Sequence, residues 1–391
     1  ISACLVGSEM CIRDRLNVIG FDIEEEAIRE WAWDLWQDNR MDYTQGVIHT
    51  EAVMLGDAYV LCDWDPEHER PRWTQQMPEM IIPHYNEATR KIDWISKKWI
   101  QRPEIGEEPE TRLNLYYPDR VEKYIAKGGV WSHYTEDEEP WPLPWLDQTG
   151  QPLGIPFIHF RNRPMGQDFG QSEIINIIPM QDLLNKTLID TTMILDTLAF
   201  PQRYTLNVNH GSSRLDILPG SVTEFHSEYD GGQVGQWAAA SVDGPLRAIE
   251  SLVQHIAGTT RTPQHLFQIM GGVPSGEALK TAESGLVNKA KQRMIGFGNS
   301  WEDALTMAMR VQAAFGTAIG DWEATRISAT WDDPETRNEQ AHLEALKSKM
   351  ELGITKHQLW REMGYTQEQI DQMDEDATAE RVSETNIGAE I

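Results

Sequence analysis

The run SGEALKTAESGLVNKAKQRMIGFGNSWEDALTMA, residues 275–308, decides how this chain is read. Apolar side chains return in it every three or four positions, at Leu279, Ala282, Leu286, Ala290, Met294, Phe297, Trp301, Leu305 and Ala308. That period belongs to one face of an α-helix. Ser275 stands where an N-cap would, and a run of this kind predicts a helix about 50 Å long at 1.5 Å per residue. Gly296 and Gly298 bracket Phe297, so a kink is expected there.

Two shorter rods precede it. Pro179 suits the first turn of a helix that runs to Ala199, with Leu184, Leu188, Leu195 and Leu198 along one stripe, thickened by Met180, Ile189 and Ile194. A second rod carries Leu246, Ile249, Val253 and Ile256 on one face and ends near Gly258. Between them, residues 200–242 read as β-rich, with strands at Arg203–Asn209 and Ser221–His226 and a Gly231-Gly232 turn. Residues 259–276 are polar and broken by Pro263, Gly271, Gly272, Pro274 and Gly276, which predicts a loop.

Further upstream the pattern becomes α+β. A helix is expected over Asp22–Asn39 and another over Tyr43–Leu55, closed by Gly56-Asp57. Strands are expected at Ala58–Trp64, Met80–Tyr85, Ile92–Gln101 and Pro156–Asn162, with a hairpin of Arg112–Tyr117 and Val121–Ile125 around Pro118-Asp119. The acidic, proline-containing stretch Thr135–Pro144 reads as an exposed loop. Downstream, a strand is expected around Ile327–Trp331, and Asp333-Pro334 opens a helix through Glu351. Thr355 with Gln358, and Thr366 with Gln369, match the capping-box pattern. The acidic tail beyond Tyr365 is expected to fray.

The first fifteen residues, ISACLVGSEMCIRDR, show no helical or strand period. They resemble translated adapter sequence fused to a reading frame, so 1–15 is expected to be non-native and outside the fold, with the natural N-terminus missing. No positively charged n-region marks them as a signal peptide.

Composition narrows the function. The chain has 391 residues, 34 Lys plus Arg against 62 Asp plus Glu, and a formal charge of −28. So acidic a chain is a poor grip for DNA or for an anionic membrane, which need clustered cations. The 40% apolar content supports real cores, and no apolar run approaches the ~18 residues of a membrane span. Three cysteines cannot build a disulfide framework.

Specific chemistry finds little footing. Gly271-Gly-Val-Pro-Ser-Gly276 has the spacing of a phosphate-binding loop, but Glu277 stands where its lysine belongs and no apolar strand precedes it. No two histidines lie three or four positions apart, so no metal site is expected, and no cofactor. The 15 Trp beside many carboxylates would suit an acidic, Trp-rich hydrolase, with aromatics such as Trp141 and Trp145 stacking on sugars. Gly170-Gln-Ser172-Glu-Ile174 lacks the second glycine of a nucleophile elbow. No catalytic residue is assigned, and the chain is expected not to be an enzyme.

Several separated stretches resemble the portal (head–tail connector) proteins of tailed siphophages. These are Gly170-Gln-Ser-Glu-Ile-Ile-Asn-Ile-Ile-Pro-Met-Gln-Asp-Leu-Leu-Asn-Lys186, Ala199-Phe-Pro-Gln-Arg203, Pro274-Ser-Gly-Glu-Ala-Leu-Lys280, and Glu283-Ser-Gly-Leu-Val-Asn-Lys289 followed by Arg293 and Phe297-Gly298. Trp331-Asp-Asp-Pro334 and Trp360 with Gly364-Tyr-Thr366 and Gln369-Ile370 extend the likeness over most of 16–375.

The resemblance implies a mainly helical α+β portal fold and a ring, usually of twelve subunits, at one capsid vertex. It implies a wing over 16–171, stem helices over 172–199 and 243–262, and a β-rich clip over 200–242. It also implies a tunnel loop over 263–276, a long kinked wing helix and strand over 277–332, and a helical crown with acidic tail over 333–391. Double-stranded DNA would pass through without sequence specificity during packaging and ejection. The terminase large subunit, head–tail adaptors, and major capsid and scaffold proteins would be partners, and no membrane would be involved. The protein would reside in the virion and assemble in the host cytoplasm.

Within that frame His265, Gln268 and Ser275 are expected to face DNA. Leu184, Leu188, Leu195, Ile249, Val253 and Ile256 are expected to pack subunits together in the stem. A capsid-associated structural oligomer without a channel is the second reading.

Overall fold

The computed structural model describes residues 11–101, 109–135, 139–166, 168–199, 203–206, 233–236, 241–267, 276–335, 347–350, 353–363, 365 and 369–374. Strand β1 (Val18–Ile23) buries every residue but Asp22, and pairs antiparallel with the late strand β13 (Ile327–Trp331). Periodicity predicts a helix from Asp22; the helix α1 starts at Glu26 and runs to Asp38, because the residues before it complete β1. Helix α2 (Met41–Leu55) follows, and Gly56 ends it at φ 100°, a conformation that favours glycine.

Strands β2 (Asp57–Asp65), β3 (Arg70–Gln76) and β10 (Phe157–Arg161) form one antiparallel sheet in the order β10-β2-β3. Strand β3 escapes sequence reading because Pro71 and five polar or charged residues hide the inward Trp73. A second sheet carries β4 (Ile81–Tyr85), β5 (Ile92–Gln101), β6 (Glu110–Tyr116), β7 (Arg120–Lys127) and β8 (Val130–His133) as a meander, with β9 (Leu143–Pro144) on β7. The predicted hairpin is β6–β7, paired through Tyr116 and Val121.

Helix α3 (Ile178–Ala199) and helix α4 (Asp243–Thr260) pack together as a rod. At its far end β11 (Arg203–Leu206) and β12 (Gln233–Gln236) pair antiparallel. The expected strand Ser221–His226 lies outside the described residues. Twenty-two residues make α3 about 33 Å long.

Helix α5 (Gly276–Phe315) is the 40-residue element read from the opening run, about 60 Å long. Its buried stripe begins at Leu286 rather than at Ala282, which is exposed; one turn earlier the body-facing position is the carboxylate Glu283. Helical structure continues without a break through Gly296 and Gly298, the pair expected to kink it. A Cβ on Gly298 would meet the Trp331 ring nitrogen at 3.3 Å, so glycine here admits β13.

The core lies where α1, α2 and both ends of β2–β10 meet α5. Trp36 and Trp301 stand edge to face at 4.9 Å, Phe160 lies 4.8 Å from Trp301, and His49 stacks on Phe297 at 5.2 Å. His49 is fully buried; its Nδ1–H donates to the Leu16 carbonyl and its Nε2 accepts from the Trp301 indole N–H. Burial holds its pKa down at about 4, so the ring is neutral.

Residues 11–15 correct the expectation that 1–15 stands outside the fold. Ile12 is buried in this core, and Arg15 ion-pairs with Glu283 at 2.9 Å. A single buried isoleucine and one buried ion pair carry no periodicity, so no pattern announces them. Helix α6 (Lys356–Glu362) begins after Thr355 as predicted, yet the Thr355 side chain makes no capping hydrogen bond. The helix expected from Asp333 through Glu351 is described only at 347–350, since 336–346 and 351–352 lie outside the described residues.

Candidate functional site

The rod is thinly packed for its length. Ile177, Leu184 and Ile256 form its buried centre, with Met180, Ile249, Leu252 and Val253 partly covered around them. The start of α3 thus meets the end of α4. Beyond that point the apolar stripe is bare: Leu188 is 44% exposed, Leu195 51%, Ile189 62% and Met193 63%. Of the six predicted packing residues, Leu184 and Ile256 are buried within the chain, Ile249 and Val253 are half-covered, and Leu188 and Leu195 face outward.

The rod joins the body at a dense polar seam. Gly56 and Gly170 press backbone to backbone: a Cβ on Gly170 would overlap the Gly56 carbonyl oxygen and sit 2.7 Å from the Asn162 backbone N and O. Around them Asn162 N–H donates to the Gly56 carbonyl at 2.8 Å, Gln171 N–H to the Asn162 carbonyl at 2.6 Å, and the Ser172 hydroxyl to the Met54 carbonyl at 2.5 Å. Ser172 is therefore a strut and not an exposed nucleophile.

Glu173 anchors the next step. Its carboxylate accepts from Lys289 at 2.8 Å and from Arg293 at 2.5 Å, both on α5, with Arg163 at 3.6 Å. Burial pushes the Glu173 pKa up, but the Lys289 and Arg293 charges and hydrogen bonds outweigh it and bring it down to about 2. Lys289 also donates to the Thr260 carbonyl, the last residue of α4, at 3.2 Å. One turn of α5 therefore ties both helices of the rod at their body end.

The sequence signal for this network is the set of stretches that carry the portal resemblance. Glu173 lies in the first, Lys289 in the one opened by Glu283, and Arg293 just after it. Arg15 bridges further, from Glu283 to the carbonyl of Pro334, which closes the Trp331-Asp-Asp-Pro334 stretch. Local pattern cannot show that these separated residues meet.

His265 sits in a 3-10 turn at Gln264–Leu266, its Nε2 3.6 Å from Glu283. Gln268 and Ser275 lie outside the described residues. A second buried cluster went unread in the sequence: the Tyr85 hydroxyl donates to His159 Nδ1 at 2.6 Å, His159 Nε2–H donates to Asp57 at 2.7 Å, and Asp57 accepts the Gly170 N–H at 2.8 Å. Burial lowers the His159 pKa against the pull of Asp57. The chain of bonds braces the seam from the sheet side. Trp145, which the hydrolase reading would have stacking on a sugar, is buried with its N–H on the Gly154 carbonyl. Among the described residues no group of three His, Cys, Asp or Glu could hold a metal, and no helix is long and apolar enough to cross a membrane.

Known proteins align with this chain along nearly its whole length. The portal protein of Mycobacterium phage D29 is 22% identical over 393 residues, covering 94% of this chain and 77% of the relative. That of Mycobacterium phage L5 is 23% identical over 386 residues, covering 93% and 75%. Chains from the virion of a native gene transfer agent particle and from the neck of an empty particle overlay at a TM-score of 0.48 with 10% identity, over 93% of this chain and 88% of theirs. The family described as phage portal protein, SPP1 Gp6-like, matches residues 16–382, and this chain belongs to it.

Proposed function

We propose that this chain assembles with copies of itself, twelve in the expected ring, at one vertex of a phage capsid. There it forms the channel for double-stranded DNA during packaging and ejection. The observation that carries this reading is the rod: on its first helix Leu188, Ile189 and Leu195 remain 44%, 62% and 51% exposed among the described residues. An apolar row on a chain of charge −28 is a contact waiting for an identical neighbour, since apolar burial has to offset the mutual repulsion.

In this reading 16–171 is the wing and 172–199 with 243–262 the stem. Residues 200–242 are the clip, 263–276 the tunnel loop, 277–332 the long wing helix and strand, and 333–391 the crown. The clip is where the terminase large subunit docks, to be replaced by head–tail adaptors; capsid and scaffold proteins surround the wing. The site of action is the virion vertex, reached after assembly in the host cytoplasm.

DNA must slide in both directions, so the wall works by not holding it. Residues 172–276 carry five bases, Lys186, Arg203, Arg214, Arg247 and Arg261, against ten acids. Such a surface releases few counterions from the duplex and keeps it hydrated. His265, Gln268 and Ser275 are the positions proposed to approach it, with Glu283 3.6 Å from His265.

Negative-stain imaging of the purified chain tests the reading. A perforated disc or mushroom is expected; a lone monomer or a solid particle overturns the channel. Photo-cross-linkers at 265, 268 and 275 should capture packaged DNA, and silence at all three removes the loop assignment.

A further inference from the structure

A cavity of about 440 Å³ opens beside the polar seam, within the size range of small-ligand clefts. It is lined by Arg163, Arg261, Lys289 and Arg293, by the single carboxylate Glu173, and by Asn176, Thr259, Thr260 and Gln292 with Met165. Four cations around one anion leave three positive charges in excess, in a chain whose net charge is −28. Glu173 neutralises only part of the set, although it touches three of the four. Arg261 has no carboxylate partner among the described residues. Arg293 is nine-tenths buried, yet its Nε finds no acceptor. That unpaired nitrogen marks a shortage of acceptors around this cation cluster.

The backbone adds an independent mark. Arg163, Met165 and Arg261 stand at φ 49°, 45° and 57°, three of the six described non-glycine residues with positive φ, and all three line this cavity. Left-handed backbone at residues that are not glycine costs energy, and it gathers where a site is being shaped.

We propose that this cavity binds an oxyanion of the phosphate class. A second carboxylate would bring one charge to an excess of three, whereas a phosphate brings up to two, with several acceptor oxygens. Arginine forks, the Lys289 ammonium and the amides of Asn176 and Gln292 supply the matching donors. The phosphate can come from a free small anion or from a nucleic-acid backbone. The proposal does not depend on the ring reading, and its test can fail or succeed whether or not rings form.

The test is isothermal titration and thermal shift of the full chain with inorganic phosphate, at fixed ionic strength against chloride. Saturable binding with a raised melting temperature is expected. Arg261→Gln, which leaves the Glu173 ion pairs in place, should keep the melting temperature without phosphate and weaken phosphate binding about tenfold, the loss of one charge-assisted hydrogen bond. Gln292→Glu, which adds a like charge for the anion to meet, should weaken it as well. Absence of saturable binding overturns the proposal, and so does binding unchanged in both variants. In positive cases a short DNA duplex is then added as competitor. Displacement of phosphate that is lost in Arg261→Gln makes the nucleic-acid backbone the source, and no displacement leaves the small anion as the ligand.

Discussion

The α/β body and the two-helix rod are built from similar residue types and bury them to opposite extents. In the body, Trp36, Trp301, Phe160 and Phe297 are sealed among α1, α2, α5 and the β10-β2-β3 sheet. In the rod, the sealed apolar side chains among the described residues are Ile177, Leu184, Ile256 and Ala257, while Leu183, Leu188 and Leu195 of α3 face outward. The body therefore holds its stability within one chain. The rod leaves part of its apolar surface for contacts that a single chain does not supply. Under the proposed ring reading, the same amino acids serve folding in one place and assembly in the other.

The contrast can be probed from its heavy end. Trp301→Ala removes the indole at the centre of four ring contacts and orphans His49, and should cost about 3–5 kcal/mol in urea unfolding. A cost below about 1 kcal/mol would mean that the body core is not where the stability resides.

Acid titration follows. The unfolded chain takes up a proton on His49 near pH 6.5, while the folded chain resists it until about 4. Stability from this residue is thus complete above pH 6.5 and declines as the pH falls toward 4, by about 3 kcal/mol in all. Unfolding free energy measured between pH 7 and 4 should show this slope, and His49→Gln should flatten it. The Glu173 contribution, with its carboxyl lowered from 4.5 to about 2, is intact above 4.5 and is lost only as the pH falls from there toward 2, so the two can be separated.

Gly170→Ala comes next. Its methyl group has no room against Gly56 and Asn162, and overpacking of this kind costs about 1–3 kcal/mol, read as a lower denaturation midpoint. The smallest effect on a single chain belongs to the rod. Leu188→Ser with Leu195→Ser should move monomer stability by no more than about 0.5 kcal/mol each, since both are exposed. Native mass spectrometry or sedimentation of the same variant should nevertheless lose the ring. Wild-type assembly in that variant would remove the rod from the contact.

What the sequence discloses tracks how local the physics is. The long helix and both rod helices are legible within a few residues because a 3.6 period repeats along each. The β6–β7 hairpin is legible because its turn residues sit between alternating runs. Strand β1 is not: VIGFDI is buried on both faces save Asp22, so it offers no alternation to read. Strand β3 is masked by its charges, and β12 by two glutamines and a glycine. The candidate site is legible only as a likeness. Glu173, Lys289 and Arg293 are unremarkable charges on their own helices, and their meeting is a long-range fact. His159, Asp57 and Tyr85 are equally distant in sequence and leave no motif.

One turn of α5 holds both helices of the rod at their shared base, through Glu173 just before α3 begins and through the Thr260 carbonyl where α4 stops. A push or twist at the far tip has two helices to travel down, and both deliver it to Lys289 and its neighbour Arg293. From there α5 runs on under Phe297 and Trp301 into the core. A load at the β11–β12 end thus meets the body at two footings, α5 through Lys289 and Arg293 and the Gly56–Gly170 seam with its Ser172–Met54 bond.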